Sequence, residues 1–305
     1  MPGQSSEFFV GVNLPWIQYG CDFGANAWQP GGGIAQPDRR ARVCDVLDRI
    51  AGVGLTTVRW FMLCDGRAGI RFDVQGRAAG VDTHLFRDLD AGLEAATRRG
   101  LTLVFVLFDF SWWRRTRTTE GVRVGGHRRE TVQASRRQPL LDNVVVPILR
   151  RYGREPAIMA WDIVNEPEWV TFGLGTANPL TAITRTRMRS FLSECTALVH
   201  AETRQLATVG LASWRGLGLV DGLGLDVYQV HWYDKRERRA PLTTDRIRTL
   251  DRPAWLGEFP TNGSSRDVPE VLEVARASGY AGAFGWSAAA GDRWSDLDAL
   301  ARAVP

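Results

Sequence analysis

Eight short runs rich in β-branched and aromatic residues, at 8–13, 57–61, 102–108, 158–165, 206–211, 226–231, 254–258 and 282–286, recur along the chain. Longer segments of helical periodicity separate them. That alternation is the pattern of a parallel sheet wound with helices, because a parallel strand reaches its neighbour only through a crossover. Several runs are apolar at consecutive positions, as in Leu103-Val104-Phe105-Val106-Leu107. Such strands are read as covered on both faces. The fold class that follows is α/β, a (β/α)8 TIM barrel. Between the runs, 39–53 sets Ala41, Val43 or Cys44, Leu47 and Ile50 on one helical face, and 86–98 does the same with Phe86, Leu89, Leu93 and Ala96. Further helical segments are read at 140–152, 186–202 and 269–278, with Gly100 and Gly279 placed to terminate theirs.

The chain has 305 residues, 44% hydrophobic and 24% charged, with no low-complexity linker at which to divide it, so 1–305 is read as one domain. The net charge of +4 comes almost wholly from arginine, since Lys235 is the only lysine. Much of the excess falls in 114–137, without the helical face or aromatic interleaving of a nucleic-acid module. That stretch is read as a solvated loop, and no nucleic-acid partner is expected. Cys21, Cys44, Cys64 and Cys195 lie far apart, with no Cys-x-x-Cys spacing, and are read as free thiols. Segment 1–7 is short and polar, so neither a signal peptide nor a membrane span is read there and a cytoplasmic protein is expected.

The segments after the first three runs, 14–37, 65–82 and 109–138, are long, whereas the helix-to-strand connections are short. In a barrel the strand-to-helix loops form the active face, so the extra residues sit where an elongated cleft would form. Two carboxylates close apolar strands on that face. Glu166 ends the fourth run in Trp161-Asp162-Ile163-Val164-Asn165-Glu166-Pro167, and Glu258 ends the seventh in Trp255-Leu256-Gly257-Glu258-Phe259. Two carboxyl groups flanking a scissile bond are what glycoside hydrolysis requires, one to protonate the leaving oxygen and one to attack or to activate water. Asn-Glu-Pro alone is a weak signal, because Asn and Pro also mark strand ends. The weight lies in the joint placement of several polar and aromatic residues at successive strand ends.

On these residues the chain resembles a clan A glycoside hydrolase, above all the family 5 group of cellulases and β-mannanases, and the resemblance runs over nearly the whole strand order. In that family an Asn-Glu-Pro ends the fourth strand and supplies the acid/base, matching Asn165, Glu166 and Pro167. A glutamate ending the seventh strand is the nucleophile, matching Glu258. The family's His-x-Tyr after the sixth strand corresponds to His231-Trp232-Tyr233, its second-strand arginine to Arg59, and its eighth-strand tryptophan to Trp286. One departure stands out: a histidine common at the end of the third strand is replaced here by Phe108-Asp109-Phe110, with Asp109 in its place.

The resemblance implies a retaining hydrolase of β-linked gluco- or manno-configured oligosaccharides or glycosides that needs no cofactor. Chemistry gives each residue a role. Arg59 and Tyr233 are expected to hydrogen-bond Glu258 and keep it ionised, Asn165 to donate to a sugar 2-hydroxyl, and Trp286 to form an aromatic floor. His231 is read as an orienting partner rather than a metal ligand, since no second histidine stands at ligand spacing. Asp162 is expected to point into the barrel and pair with Arg59. Trp16, Trp112, Trp113, Trp169, Trp214 and Trp232 lie at or just beyond strand ends and are candidate sugar platforms. His84, His127 and His200 receive no role. A transglycosidase using the same two glutamates and a non-catalytic sugar-binding protein are the alternative readings. Linkage, exo or endo action and oligomeric state stay open.

Overall fold

The computed structural model describes residues 8–178, 180–289 and 291–304. Eight strands, β1 (Phe9–Leu14), β2 (Thr57–Phe61), β3 (Thr102–Asp109), β4 (Ile158–Asn165), β5 (Leu206–Leu211), β6 (Tyr228–His231), β7 (Ala254–Pro260) and β8 (Gly282–Trp286), close into one barrel in which each strand pairs in parallel with the next and β8 pairs with β1. The main apolar core lies where the outward faces of these strands meet the helices, and includes Trp60, Phe105 and Trp161. A separate cluster of Val104, Ala160, Val227, Trp255 and Phe284 packs apart from it.

The helices Pro37–Gly52, Leu85–Thr97, Arg185–Glu202 and Val268–Ser278 follow the expected segments. The segment expected as one helix over 140–152 is instead Ala134–Leu140, a π turn at Leu141–Val145, and Val146–Tyr152. Pro147 has no N–H to give the preceding turn, and the wider turn absorbs the missing bond. The expected sixth strand starts late. Asp226 is spent on the turn, where its Oδ2 accepts from the Ala207 N–H at 2.8 Å, and pairing begins at Tyr228. After β5 and β6 only short 3-10 turns stand in place of a helix, and the last unit closes with the five-residue helix Leu297–Ala301.

Buried carboxylates organise the first long loop. Asp22 accepts from the backbone of Ile17 and Gln18 and from Trp60 Nε1, and Asp88 accepts from the backbone of Gly24, Gly33 and Ala35. Burial pushes the Asp22 carboxyl up to about 6.

The stretch 114–137 departs from the solvated loop expected of it. It carries the hairpin Arg117–Thr119/Val122–Val124 and the short helix Arg128–Val132, and it buries His127, Glu130 and Thr131. Arg114, Arg115, Arg117 and Arg129 are exposed, as in a solvated loop, whereas the other four arginines act as staples. Arg136 donates to the carbonyls of Gly76 and Gln75, Arg128 to that of Ala182, Arg123 to that of Gly126, and Arg137 pairs with Glu194 at 2.8 Å. His127 stacks between Phe72 and Trp112, with ring centroids at 4.9 and 4.1 Å.

The four cysteines are free thiols. Among the described residues no helix is long and apolar enough to cross a membrane.

Candidate active site

Arg59 is the centre of the barrel mouth. Its guanidinium is fully buried and bonds to Asp162 on β4, Asn13 on β1, Glu258 on β7 and Asn165 on β4. Partners on opposite sides of a closed barrel put the group near the barrel axis. It donates four hydrogen bonds at 2.8–2.9 Å, from Nε to Asp162, from Nη1 to Asn13 and Glu258 and from Nη2 to Asn165, and Nη2 also lies 2.8 Å from the same Asp162 oxygen. Gly210 on β5 makes the room, since a Cβ there would meet Arg59 Nη2 at 2.8 Å and Gln229 Nε2 at 2.7 Å. Asp162 takes further bonds from the Gly210 N–H and Gln229 Nε2, as a buried carboxylate requires.

Glu258 is 4% exposed. Arg59 holds its Oε1 at 2.8 Å and Tyr233 Oη donates to its Oε2 at 3.0 Å. Burial pushes its carboxyl up and the nearby Glu166 adds to the rise, while His231 and Arg59 pull it down. The net direction is upward, with desolvation opposing the two expected hydrogen-bond partners, both of which are in place.

Glu166 follows the last residue of β4, with its backbone in the left-handed region at φ 50° and ψ 53°. The following Pro167 disfavours the right-handed helical region for this residue, and a non-glycine residue in the left-handed one costs about 1–3 kcal/mol. The surrounding structure holds it there: its N–H donates to the Gly210 carbonyl at 2.6 Å and its carbonyl accepts from the Trp169 N–H at 3.2 Å. Trp169 Nε1 donates to its Oε2 at 2.6 Å, and His231 Nδ1 lies 3.0 Å from its Oε1. The same Nδ1 is 3.5 Å from Glu258 Oε2, so His231 faces both carboxylates.

An oxygen of Glu166, an oxygen of Glu258 and a ring nitrogen of His231 all lie within 4.8 Å of one another. Among the described residues this is also the group able to converge on a cation. Arg59 already supplies a positive charge to Glu258 there.

A cavity of about 420 Å³ opens over the two carboxylates, lined by Trp16, Asp109, Asn165, Tyr233, Trp286 and others. Asp109 is buried at its floor and accepts from Asn165 Nδ2 at 2.9 Å, and burial pushes its carboxyl up. Trp286 stands at the rim with its Nε1 on Asp292.

Trp112 does not belong to this cavity. It is fully buried against His127 and Phe108, so the platform role expected for it is corrected to packing. Trp113, Trp214 and Trp232 are likewise buried, with their ring N–H groups bonded to Thr131, Tyr280 and Glu237. Tyr19, Phe61, Lys235, Asp292 and Trp294 line the cavity without having been singled out. Lys235 carried a usable signal, since it lies just beyond the end of β6.

Known proteins resemble the chain over nearly its whole length. A mannan endo-1,4-beta-mannosidase of Mytilus edulis is 25% identical, the match covering 92% of this chain and 83% of the relative, and one of Cryptopygus antarcticus is 23% identical over 96% and 84%. The crystal structure of an endo-1,4-beta-mannanase from Eisenia fetida matches with a TM-score of 0.81 and 25% identity, covering 97% of this chain and 90% of that one. This chain is a glycosidase similar to family 5 of clan A. No protein-family model matches it. The glycosidase keeps one further acidic group beside its cleft: Glu168, buried, accepts from the N–H groups of Ala212 and Ser213, and burial raises its carboxyl to about 7.

Proposed function

We propose that the chain, acting as one catalytic unit over 1–305, hydrolyses internal β-1,4-mannosidic bonds of a mannan-type polysaccharide with net retention. The observation that carries the reading is the approach of the Glu166 and Glu258 carboxylates to within 4.8 Å. Retaining enzymes bring their two carboxyl groups to about 5–5.5 Å, and inverting ones hold them about 6.5–9.5 Å apart to admit a water. The sugar and the internal cleavage are carried over from the mannosidases that the chain resembles.

In this reading Glu258 attacks the anomeric carbon as that carbon's bond to the leaving oxygen breaks. The departing oxygen keeps the bonding pair and takes a proton from Glu166. The resulting α-linked ester on Glu258 is then displaced by a water oxygen, while Glu166, now a carboxylate, accepts that water's proton. Tyr233 and Arg59 hold one oxygen each of the nucleophile and limit its rotation. Trp169 and His231 do the same for the acid/base. Asn165 gives one amide hydrogen to Asp109, which leaves the second for the sugar 2-hydroxyl.

The test follows product configuration by NMR on β-1,4-manno-oligosaccharides and aryl β-mannosides. Retained configuration is expected, with a loss on the order of 10^4-fold in Glu258→Ala. Glu166→Ala is expected to lose less on aryl substrates, whose leaving groups need little protonation. Inverted product, or an active Glu258→Ala enzyme, would overturn the assignment.

A further inference from the structure

A second cavity, about 700 Å³, adjoins the first. Its walls come from the segments after β4, β5 and β6: Glu168 and Trp169, then Ala212 to Arg215, then Asp234 to Ala240. The cleft over the glutamates shares the β4 and β6 ends with it, through Glu166, Tyr233 and Lys235, but is otherwise lined from β7, β8 and the segments after β1 and β3. Lys235 lines both and marks where they meet.

We infer that this second cavity receives the leaving portion of the substrate and favours sugars that carry an anionic group. The inference rests on the glycosidase reading above, and two observations carry it. The first is position. The leaving oxygen takes its proton from Glu166, so the departing sugar lies on the β4 side of the scissile bond. Trp169, whose Nε1 bonds Glu166 Oε2, is part of the second cavity's wall. A chain continuing past Glu166 therefore runs into that cavity.

The second is charge. Arg215, Lys235, Arg238 and Arg239 line the cavity, and among the described residues none of the four forms an ion pair with a carboxylate. This separates them from Arg123, Arg128, Arg136 and Arg137, which are spent on backbone carbonyls and on Glu194. Two acids share the wall. Asp234 accepts from the Ser265 N–H at 2.8 Å and keeps its charge, one negative group against four positive ones. Glu168 is buried with its carboxyl raised to about 7, and so carries only part of a charge near neutral pH. The cavity is left cationic, with guanidinium groups whose forked donors match carboxylate and phosphate oxygens.

The test compares kcat/KM for a neutral β-1,4-manno-oligosaccharide, the same oligosaccharide oxidised to a uronate at C6 of its reducing-end unit, and one carrying a 6-phosphate there. At low ionic strength the wild type is expected to favour an anionic arm about tenfold, and the preference is expected to shrink as salt is added. The double variant Arg238→Gln/Arg239→Gln is expected to lose most of that ratio, and its turnover of the neutral oligosaccharide reports that it is folded. The arm preferred identifies the anion, carboxylate or phosphate. Turnover of the neutral substrate with no anionic preference, or a preference unchanged in the double variant, overturns the inference and leaves the glycosidase reading standing. Silence on all three substrates overturns both.

Discussion

Arg59 and His127 are both completely buried, yet their surroundings are of opposite kinds. Around Arg59 each guanidinium nitrogen donates to a buried acceptor, and two carboxylates flank its charge. Around His127 the walls are the aromatic faces of Phe72 and Trp112, and neither ring nitrogen has a hydrogen-bond partner among the described residues. The nearest charges there are at a distance: Glu130 Oε1 is 3.9 Å from His127 Nδ1 and also 3.9 Å from Arg136, while Arg123 and Asp65 act from further off. The first centre keeps an ion in the interior by matching it. The second keeps a base neutral and uses it as an aromatic spacer.

The largest expected effect is at Arg59. Arg59→Met leaves Asp162 and Glu258 buried without their cation, which is expected to cost about 3–5 kcal/mol in urea unfolding. Activity is expected to fall by roughly 10^2- to 10^3-fold or more, as when an organising donor is removed from a reacting centre. Near-normal stability would mean that the matched network is not what holds the barrel mouth together.

Tyr233→Phe is gentler. A hydrogen bond to a charged group is worth about 1.5–3 kcal/mol, so kcat is expected to drop roughly 10- to 100-fold with little change in stability. Tyr233 is one of the groups that lower the Glu258 carboxyl. Its loss should move the acidic limb of the kcat/KM profile to higher pH, and an unmoved limb would separate Tyr233 from the nucleophile.

At His127 the expected change is smallest and appears only with acid. Burial pushes its pKa down, so the folded chain favours the neutral ring. Stability is then full above the unfolded value of about 6.5 and falls as pH drops through that value towards the folded pKa. His127→Phe should match the wild type to within about 1 kcal/mol at pH 7.5 and lose less on acidification to pH 5. Urea midpoints across that range decide it, and parallel curves would remove His127 from the acid response.

The same contrast governs what could be read from the sequence. The barrel strands were legible as short runs of β-branched and aromatic residues, several of them apolar at consecutive positions, and Glu166 and Glu258 were legible because each closes such a run with a charge. The surroundings of His127 were not, because its partners come from a different loop: Phe72 belongs to the hairpin after β2, and Arg136 reaches back to the carbonyls of Gln75 and Gly76. A local pattern of arginines looks the same whether they face water or tie two loops together. Trp112 and Trp286 pose a similar problem. Both stand at strand ends, and only the packed loops decide that one ring turns inward against His127 while the other borders the cleft.

Lys235 is the one side-chain amine in these 305 residues, and it stands where the two cavities meet. Apart from the α-amino group, an acylating dye therefore has a single point of attachment on the whole surface. A fluorophore placed there without mutagenesis would sit at the junction of the two cavities, and its quenching would record in real time when a ligand fills them.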